Sequence, residues 1–148
     1  MASVSVGQEA PDFTLVNEAN EKVTLSELRG TPVVLVFYPF AFSGLCTTEM
    51  CSVRDNYDNW IAKGAKVFGI SRDSRFVQAA FKKQENLNYS LLADTKGSAA
   101  SKYGVWNEAA AAAERATFVV DRDGKIVYLV HNGFSEGRDH SVVEEHIK

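Results

Sequence analysis

A chain of 148 residues, 45% hydrophobic and 24% charged, has the size and composition of one globular domain spanning residues 1–148. A net charge of −3 with scattered basic residues excludes neither fold nor enzyme, but it argues against a nucleic-acid or anionic-membrane partner. The opening MASVSVGQEAPDF has no basic n-region and no long apolar run, and no stretch of about 18 apolar residues follows. Neither a signal peptide nor a membrane span is expected, and a cytoplasmic location is. In such a compartment two cysteines are poor material for a structural disulfide, so reactive or metal-binding thiols become the better question.

In chain order, Gly7 to Pro11 reads as a turn. Phe13 and Leu15 alternate with polar neighbours as a short strand would, and residues 23–25 pair with it as a hairpin. Ser26 is a candidate N-cap for a short turn ending at Gly30. The run VVLVFY at 33–38 reads as a strand buried on both faces of a sheet, stopped by Pro39. After FAFSGLC, Met50, Val53, Tyr57, Trp60 and Ile61 recur at helical spacing, and Gly64 ends that helix. KVFGIS at 66–71 is a second buried strand. Asp73 or Ser74 then caps a helix carrying Phe76, Val77, Ala80 and Phe81 on one side. Leu91 and Leu92 form a short strand, and a helix covers 95–103, closed at Gly104. Five alanines at 109–113 read as a helical turn or two, or equally as a variable loop. Residues 117–121 and 126–131 make a hairpin across Arg122, Asp123 and Gly124. The tail from His140 is helical. A βαβ opening and a ββα close predict an α/β sandwich, with a mixed central sheet and helices on both faces, arranged as in the thioredoxin fold.

Cys46 follows a buried strand and stands in the first turn of the next helix. Open α/β folds place chemistry at the carboxyl ends of strands. A helix N-terminus adds unpaired N–H groups and the positive end of the macrodipole. Both favour a thiolate, the nucleophilic form of cysteine. The alternative is a small buried packing thiol. A strand end bounded by Pro39, a hydroxyl at Ser43 and a glycine at Gly44 favour the reactive one.

The stretch PFAFSGLC at 39–46 matches P-x-x-x-[ST]-x-x-C, and RATFVVD sets Arg115 at the entry to a strand. With GQEAPDFTL and ELRGTPVVLVFYP, these motifs resemble the peroxiredoxin family over nearly the whole chain. YPFAFSGLC, YGVWNE and RATFVVDRDG are most similar to the alkyl hydroperoxide reductase E branch. Cys51 instead resembles the Q-type, bacterioferritin-comigratory branch. The resemblance implies a cofactor-free thiol peroxidase that reduces hydrogen peroxide and organic hydroperoxides through a sulfenic acid at Cys46. It implies that Pro39 shields the sulfur and that the Ser43 hydroxyl and the N–H groups near Leu45 and Cys46 face the peroxide. Arg115 would fork toward thiolate and peroxide. Most family members carry threonine where this chain has Ser43, so the hydroxyl is kept and the rotamer-fixing methyl is lost. Phe40, Phe42 and Leu45 supply apolar surroundings that suit organic hydroperoxides. The implied partners are the hydroperoxide and a reductant: thioredoxin, a glutaredoxin-like protein or a low-molecular-weight thiol. Relatives include monomers and homodimers. Glu49, one turn past Cys46, either complements the helix dipole or holds an arginine of the site.

Cys51 lies five residues after Cys46. On an intact helix that spacing separates the Cα atoms by about 8–9 Å, whereas a disulfide needs them within about 7 Å. Three readings stand: a resolving thiol that reaches Cys46 only when the helix unwinds, a packing thiol in a one-cysteine enzyme, and a metal ligand. The last has only a C-x-x-x-x-C with His131, His140 and His146 far off in sequence. A thioredoxin-type thiol–disulfide oxidoreductase shares the fold class, but it normally needs C-x-x-C, and here the position three after Cys46 is Glu49.

Overall fold

The structure, a computed structural model, describes residues 4–134 and 136–147. Strands β1 (Thr14–Asn17) and β2 (Lys22–Thr24) form the expected hairpin, with Leu15 opposite Val23. A 3-10 turn at Leu25–Leu28 follows; Ser26 lies inside it rather than capping it, its amide donating to Asp12 Oδ1 at 2.8 Å. Then come β3 (Val33–Phe37), α1 (Gly44–Ala62), β4 (Lys66–Ser71), α2 (Arg75–Glu85) and β5 (Ser90–Ala93). The chain continues through α3 (Ser98–Lys102), β6 (Trp106–Asn107), β7 (Ala112–Ala113), β8 (Arg115–Val120) and β9 (Ile126–Asn132).

Seven strands form one mixed sheet in the order β2-β1-β5-β4-β3-β8-β9, with β3, β4 and β5 parallel. The reason VVLVF is apolar at every position is visible in the packing. Val33, Leu35 and Phe37 face a layer containing Ala99, Ala100 and Tyr103. Val34 and Val36 face the other layer, with Met50, Val53 and Trp60 of α1 and Phe81 of α2. A period of two on a central strand between two helical layers leaves no polar side. Glycine closes the turns where the backbone enters the left-handed region, at Gly64 after α1 (φ +85°) and at Gly124 between β8 and β9 (φ +85°). No helix among the described residues is long and apolar enough to cross a membrane.

Three more expectations need correction, and two open alternatives are decided. On α2, Phe81 is buried, but Phe76 is 68% exposed and Val77 and Ala80 also face outward. The inward position is taken by Gln78. Its amide nitrogen donates to Ser71 Oγ (3.0 Å) and the Leu92 carbonyl (2.9 Å), and its oxygen accepts from the Tyr38 hydroxyl. A buried amide so satisfied is tolerated where sequence patterning expects an apolar residue. Ser74 is the cap of α2, accepting from Val77 N. Asp73 looks away from it, accepting from Ala41 N (2.8 Å) and the Ser71 hydroxyl (2.6 Å).

The helix expected over 95–103 shortens to α3, because Asp94 accepts from Ala99 N and Ala100 N and Gly97 turns with φ +69°. The alanine run is not helical: Ala112 and Ala113 pair with Asn107 and Trp106, and Ala111 has φ +52°. Five alanines are too few to nucleate a helix unaided, and burial of Ala112 and Ala113 decides the outcome. The tail forms two 3-10 turns, His140–Val142 and Glu144–His146, rather than an α-helix.

Candidate active site

Past β3, Tyr38 N still bonds the Ile70 carbonyl of β4 (3.0 Å), and Pro39, buried and without an N–H, ends the ladder. Residues 40–43 then cross the carboxyl end of the sheet. The loop is held from the side by Asp73, which accepts from Ala41 N, and by Arg72 over the Phe40 ring (5.8 Å). Phe42 adopts φ +69°, an uncommon conformation for a bulky residue, and its ring meets Phe81 edge-on at 5.1 Å. Phe42 stays 45% exposed. Ser43 is the N-cap residue of α1, yet its hydroxyl donates to the Phe40 carbonyl (3.1 Å) instead of accepting from the helix. The amides of Gly44, Leu45 and Cys46 are first-turn N–H groups, which have no intrahelical acceptor.

Cys46 has no exposed surface. Arg115 reaches it because β8 runs antiparallel beside β3, with Ala116 opposite Phe37, so β8 begins where β3 ends. Arg115 Nη1 lies 3.1 Å from Cys46 Sγ and 2.7 Å from Glu49 Oε1, and Nε donates to the Phe134 carbonyl (2.7 Å). Arg115 is almost fully buried, as is Glu49. Of the two readings of Glu49, the structure shows the second: it holds an arginine of the site, and in fact two.

The second is Arg138, which sequence reading did not single out. Its side chain has no exposed surface. Arg138 Nη2 donates to Glu49 Oε1 (2.8 Å), while Nε (3.0 Å) and the backbone N (2.7 Å) donate to Oε2. Nη1 donates to the Phe37 carbonyl (2.6 Å) and to Thr117 Oγ1 (3.2 Å). Burial works to raise the Glu49 pKa, but the Arg138 hydrogen bonds and charge, with Arg115 behind them, hold it below the usual carboxylate value. Glu49 therefore stays ionised between two fixed cations. The only hint in the sequence was chemical: an acid on the inner turn of a helix needs donors, and Arg115 alone does not fill both oxygens.

Cys51 is half-buried and turned elsewhere. Its Sγ lies 3.6 Å from Glu85 Oε1, at the end of α2. Burial first, and then the Glu85 carboxylate, push its thiol pKa up, against the pull of Arg54. Both thiols are free. Leu45, beside Cys46, packs near Gly137, where an added Cβ would sit 3.4 Å from its Cδ1. The motif residues Pro39, Phe42, Ser43, Leu45, Cys46 and Arg115 thus gather at one end of the sheet, and Cys51 sits on another face of α1.

A buried thiol at a helix N-terminus, faced by arginine in a sandwich of this topology, is the layout of a thiol-redox protein. The model of the AhpC/TSA family matches residues 6–129. The chain is 34% identical to "Peroxiredoxin Bcp" of Escherichia coli, over all of this chain and 98% of that protein. It is 37% identical to "Peroxiredoxin Q, chloroplastic" of Suaeda salsa, over all of this chain and 68% of that protein. Among solved structures it resembles the peroxidoxin BcpB of Mycobacterium tuberculosis, with a TM-score of 0.81 and 33% identity over 86% of each chain. The AhpC of Enterococcus faecalis superposes with a TM-score of 0.88 at 27% identity, over 95% of this chain and 88% of that one. The chain belongs to the AhpC/TSA family and is a peroxiredoxin enzyme with the thioredoxin-like fold.

Proposed function

We propose that Cys46 is the nucleophile of a thiol peroxidase acting on hydrogen peroxide and organic hydroperoxides. The observation that carries this reading is the 3.1 Å approach of Arg115 Nη1 to Cys46 Sγ, with the guanidinium held from behind by Glu49. The thiolate attacks the distal oxygen, an S–O bond forms as the O–O bond breaks, and Cys46 becomes a sulfenic acid while the other oxygen departs as alkoxide or hydroxide and takes a proton from solvent. Negative charge spreads from sulfur over both oxygens, so fixed donors aimed there lower the barrier. Arg115 Nη2 has no protein partner among the described residues and is the free arm of the fork. The first-turn amides and the Ser43 hydroxyl, which donates to the Phe40 carbonyl before peroxide arrives, are the remaining donors. Because Cys46 is fully covered, peroxide enters by displacing the loop 40–43, whose outermost side chain is Phe42.

Cys51 then resolves the sulfenic acid: its sulfur attacks Cys46, water leaves, and an intramolecular disulfide forms. A dithiol reductant such as thioredoxin, a glutaredoxin-like protein or a small thiol restores both thiols, in a cytoplasmic setting that suits two unpaired cysteines. One observation favours a second reading, a one-cysteine enzyme recycled by an external thiol: Cys51 Sγ faces Glu85, not Cys46. Peroxide consumption and the mass of the oxidised protein separate these. Cys46→Ser should abolish turnover with the fold intact; appreciable activity in it refutes the nucleophile. Wild type treated with peroxide should lose both alkylatable thiols without gaining oxygen, and a Cys51 that still alkylates decides for the one-cysteine enzyme.

A further inference from the structure

The hydrogen-bond chain behind Arg115 does not stop at Arg138. It runs on through Thr117 to His140, a fully buried histidine of the tail. We propose that His140 is a positioning residue for peroxide reduction, holding Arg138 through the Thr117 hydroxyl so that Arg138 and Glu49 fix Arg115 against Cys46. This rests on the reading of Cys46 and Arg115 as the reacting pair.

The donor bookkeeping assigns the protons. A guanidinium donates and never accepts. Arg138 Nη1, 3.2 Å from Thr117 Oγ1, therefore occupies a lone pair of that hydroxyl. His140 Nε2 lies 3.1 Å from the same oxygen. Among the described residues it is the one group in reach that can accept the hydroxyl hydrogen, so Nε2 is bare and the ring proton sits on Nδ1. The alternative tautomer would point two donors at one hydroxyl and leave the hydroxyl hydrogen without an acceptor. Nδ1 has no partner among the described residues, and the ring stands edge-on to Trp60 of α1 at 6.2 Å. A side chain wanted only for its volume would not be a histidine carrying an unpaired buried N–H; the Thr117 contact supplies the reason.

The groups facing the ring agree with a neutral imidazole. Arg138 and Asp139 come from its own segment and Glu49 from α1, while Trp60 of α1 and Thr117 of β8 are uncharged. Burial first, and then the Arg138 charge, push the His140 pKa down to about 4, against Glu49 and Asp139. At neutral pH the acceptor is in place. Protonation removes it and sets a second buried cation beside Arg138.

The test is the second-order rate of Cys46 oxidation by hydrogen peroxide, by stopped flow, in four variants of the full chain. His140→Leu keeps bulk and loses the acceptor; one lost hydrogen bond in the chain corresponds to a slowing of roughly threefold to tenfold. Thr117→Val cuts the same link at its other side and should slow the reaction as much. The double variant should be no slower than either single one, because both break one link. His140→Gln places an amide oxygen near the Nε2 position and should recover most of the rate. The ratio of wild-type to His140→Gln rates should stay flat from neutral pH downward and fall only on approach to pH 4, since glutamine does not titrate. A wild-type rate in both His140→Leu and Thr117→Val overturns the proposal. So does additive slowing in the double variant, or a His140→Gln variant as slow as His140→Leu. Cys46→Ser run in parallel keeps the two claims apart: residual activity there refutes the nucleophile itself, whereas a dead Cys46→Ser beside unaffected His140 variants refutes only the positioning role.

Discussion

Glu49→Gln isolates the charge of the site from its shape. The carboxylate accepts four hydrogen bonds from two arginines, at 2.7, 2.8, 3.0 and 2.7 Å, with almost no exposed surface on any of the three side chains. Glutamine has nearly the same outline but only one accepting oxygen. Whichever way its amide turns, the NH2 group points donor to donor at a guanidinium or a backbone N–H. Two buried cations also lose their counter-anion. Removing one partner of a buried ion pair costs about 3–5 kcal/mol, out of about 5–15 kcal/mol for a typical domain. For a chain near 150 residues that is a fall in Tm of roughly 6–20 °C. Thermal unfolding followed by circular dichroism at pH 7 measures it. Arg138→Met should then cost less in the Glu49→Gln background than alone, since the stranded cation is itself removed. A Tm drop below about 2 °C, or equal cost of Arg138→Met in both backgrounds, would refute the claim that Glu49 anchors the pair.

Arg115→Ala should slow Cys46 oxidation by roughly a hundredfold or more, the usual effect of deleting a preorganised charge donor. Arg115→Lys should recover only part of it, because a lysine cannot hold sulfur, Glu49 and peroxide at once; a rate within threefold of wild type in Arg115→Ala would make the residue a bystander. Folding stability should depend on pH through His140, whose folded pKa of about 4 lies below its ordinary 6.5. That contribution is complete above pH 6.5 and is lost as pH falls toward 4, by about 3 kcal/mol. Denaturant unfolding at pH 7 and pH 4.5 should show the loss in wild type and a smaller one in His140→Gln; equal losses count against it. Gly97→Ala should destabilise by about 2 kcal/mol or more, since φ is +69° and the new Cβ would meet the Trp106 ring at 2.6 Å. A melting curve unchanged from wild type would contradict that packing.

What was legible in the chain was whatever a local pattern decides. VVLVFY suits a two-sided strand and forms one, and Met50, Val53 and Trp60 do bury the inner face of α1. Cys46 was found by its place at a helix start and Arg115 by the family resemblance of RATFVVD, and topology brings them to 3.1 Å across 69 residues of sequence. The failures share a cause: long-range partners override local preference. Gln78 is inside because Tyr38, Ser71 and Leu92 satisfy its amide, which no helical periodicity reveals. Arg138 and His140 lie in the polar stretch SEGRDHSVV, which carries no motif and no apolar pattern that marks either side chain as buried. Their burial is created by Glu49, 89 residues before Arg138, and by Thr117. The alanine run follows the same rule, its helix propensity giving way to a two-residue pairing with Trp106 and Asn107.

If Cys46 and Cys51 are to form a disulfide, α1 must unwind, and the distribution of its anchors says which part gives way. Glu49 is bound by four hydrogen bonds to the two arginines, and the Met50 carbonyl accepts from the Tyr89 hydroxyl (2.7 Å). Met50 and Val53 are fully buried. N-terminal to them, Gly44 and Thr48 are exposed, Leu45 and Thr47 are partly exposed, and among the described residues the one side-chain hydrogen bond from this turn to the rest of the site is Arg115 Nη1 to Cys46 Sγ. Oxidation of the sulfur weakens that tie, because a neutral sulfenic acid no longer attracts the guanidinium as a thiolate does. The low-cost motion is therefore loss of residues 44–48 from the helix, with Cys46 travelling to a stationary Cys51. Helical amides bond four residues back, so this unwinding frees the N–H groups of residues 47–52 and spares those from Val53 onward. Hydrogen exchange should thus accelerate on oxidation for amides 47–52 only. Faster exchange reaching Tyr57 and Trp60 would mean that the whole helix opens and that Glu49 is no anchor. Unchanged exchange across 47–52, with both thiols consumed, would mean that the bond forms between chains.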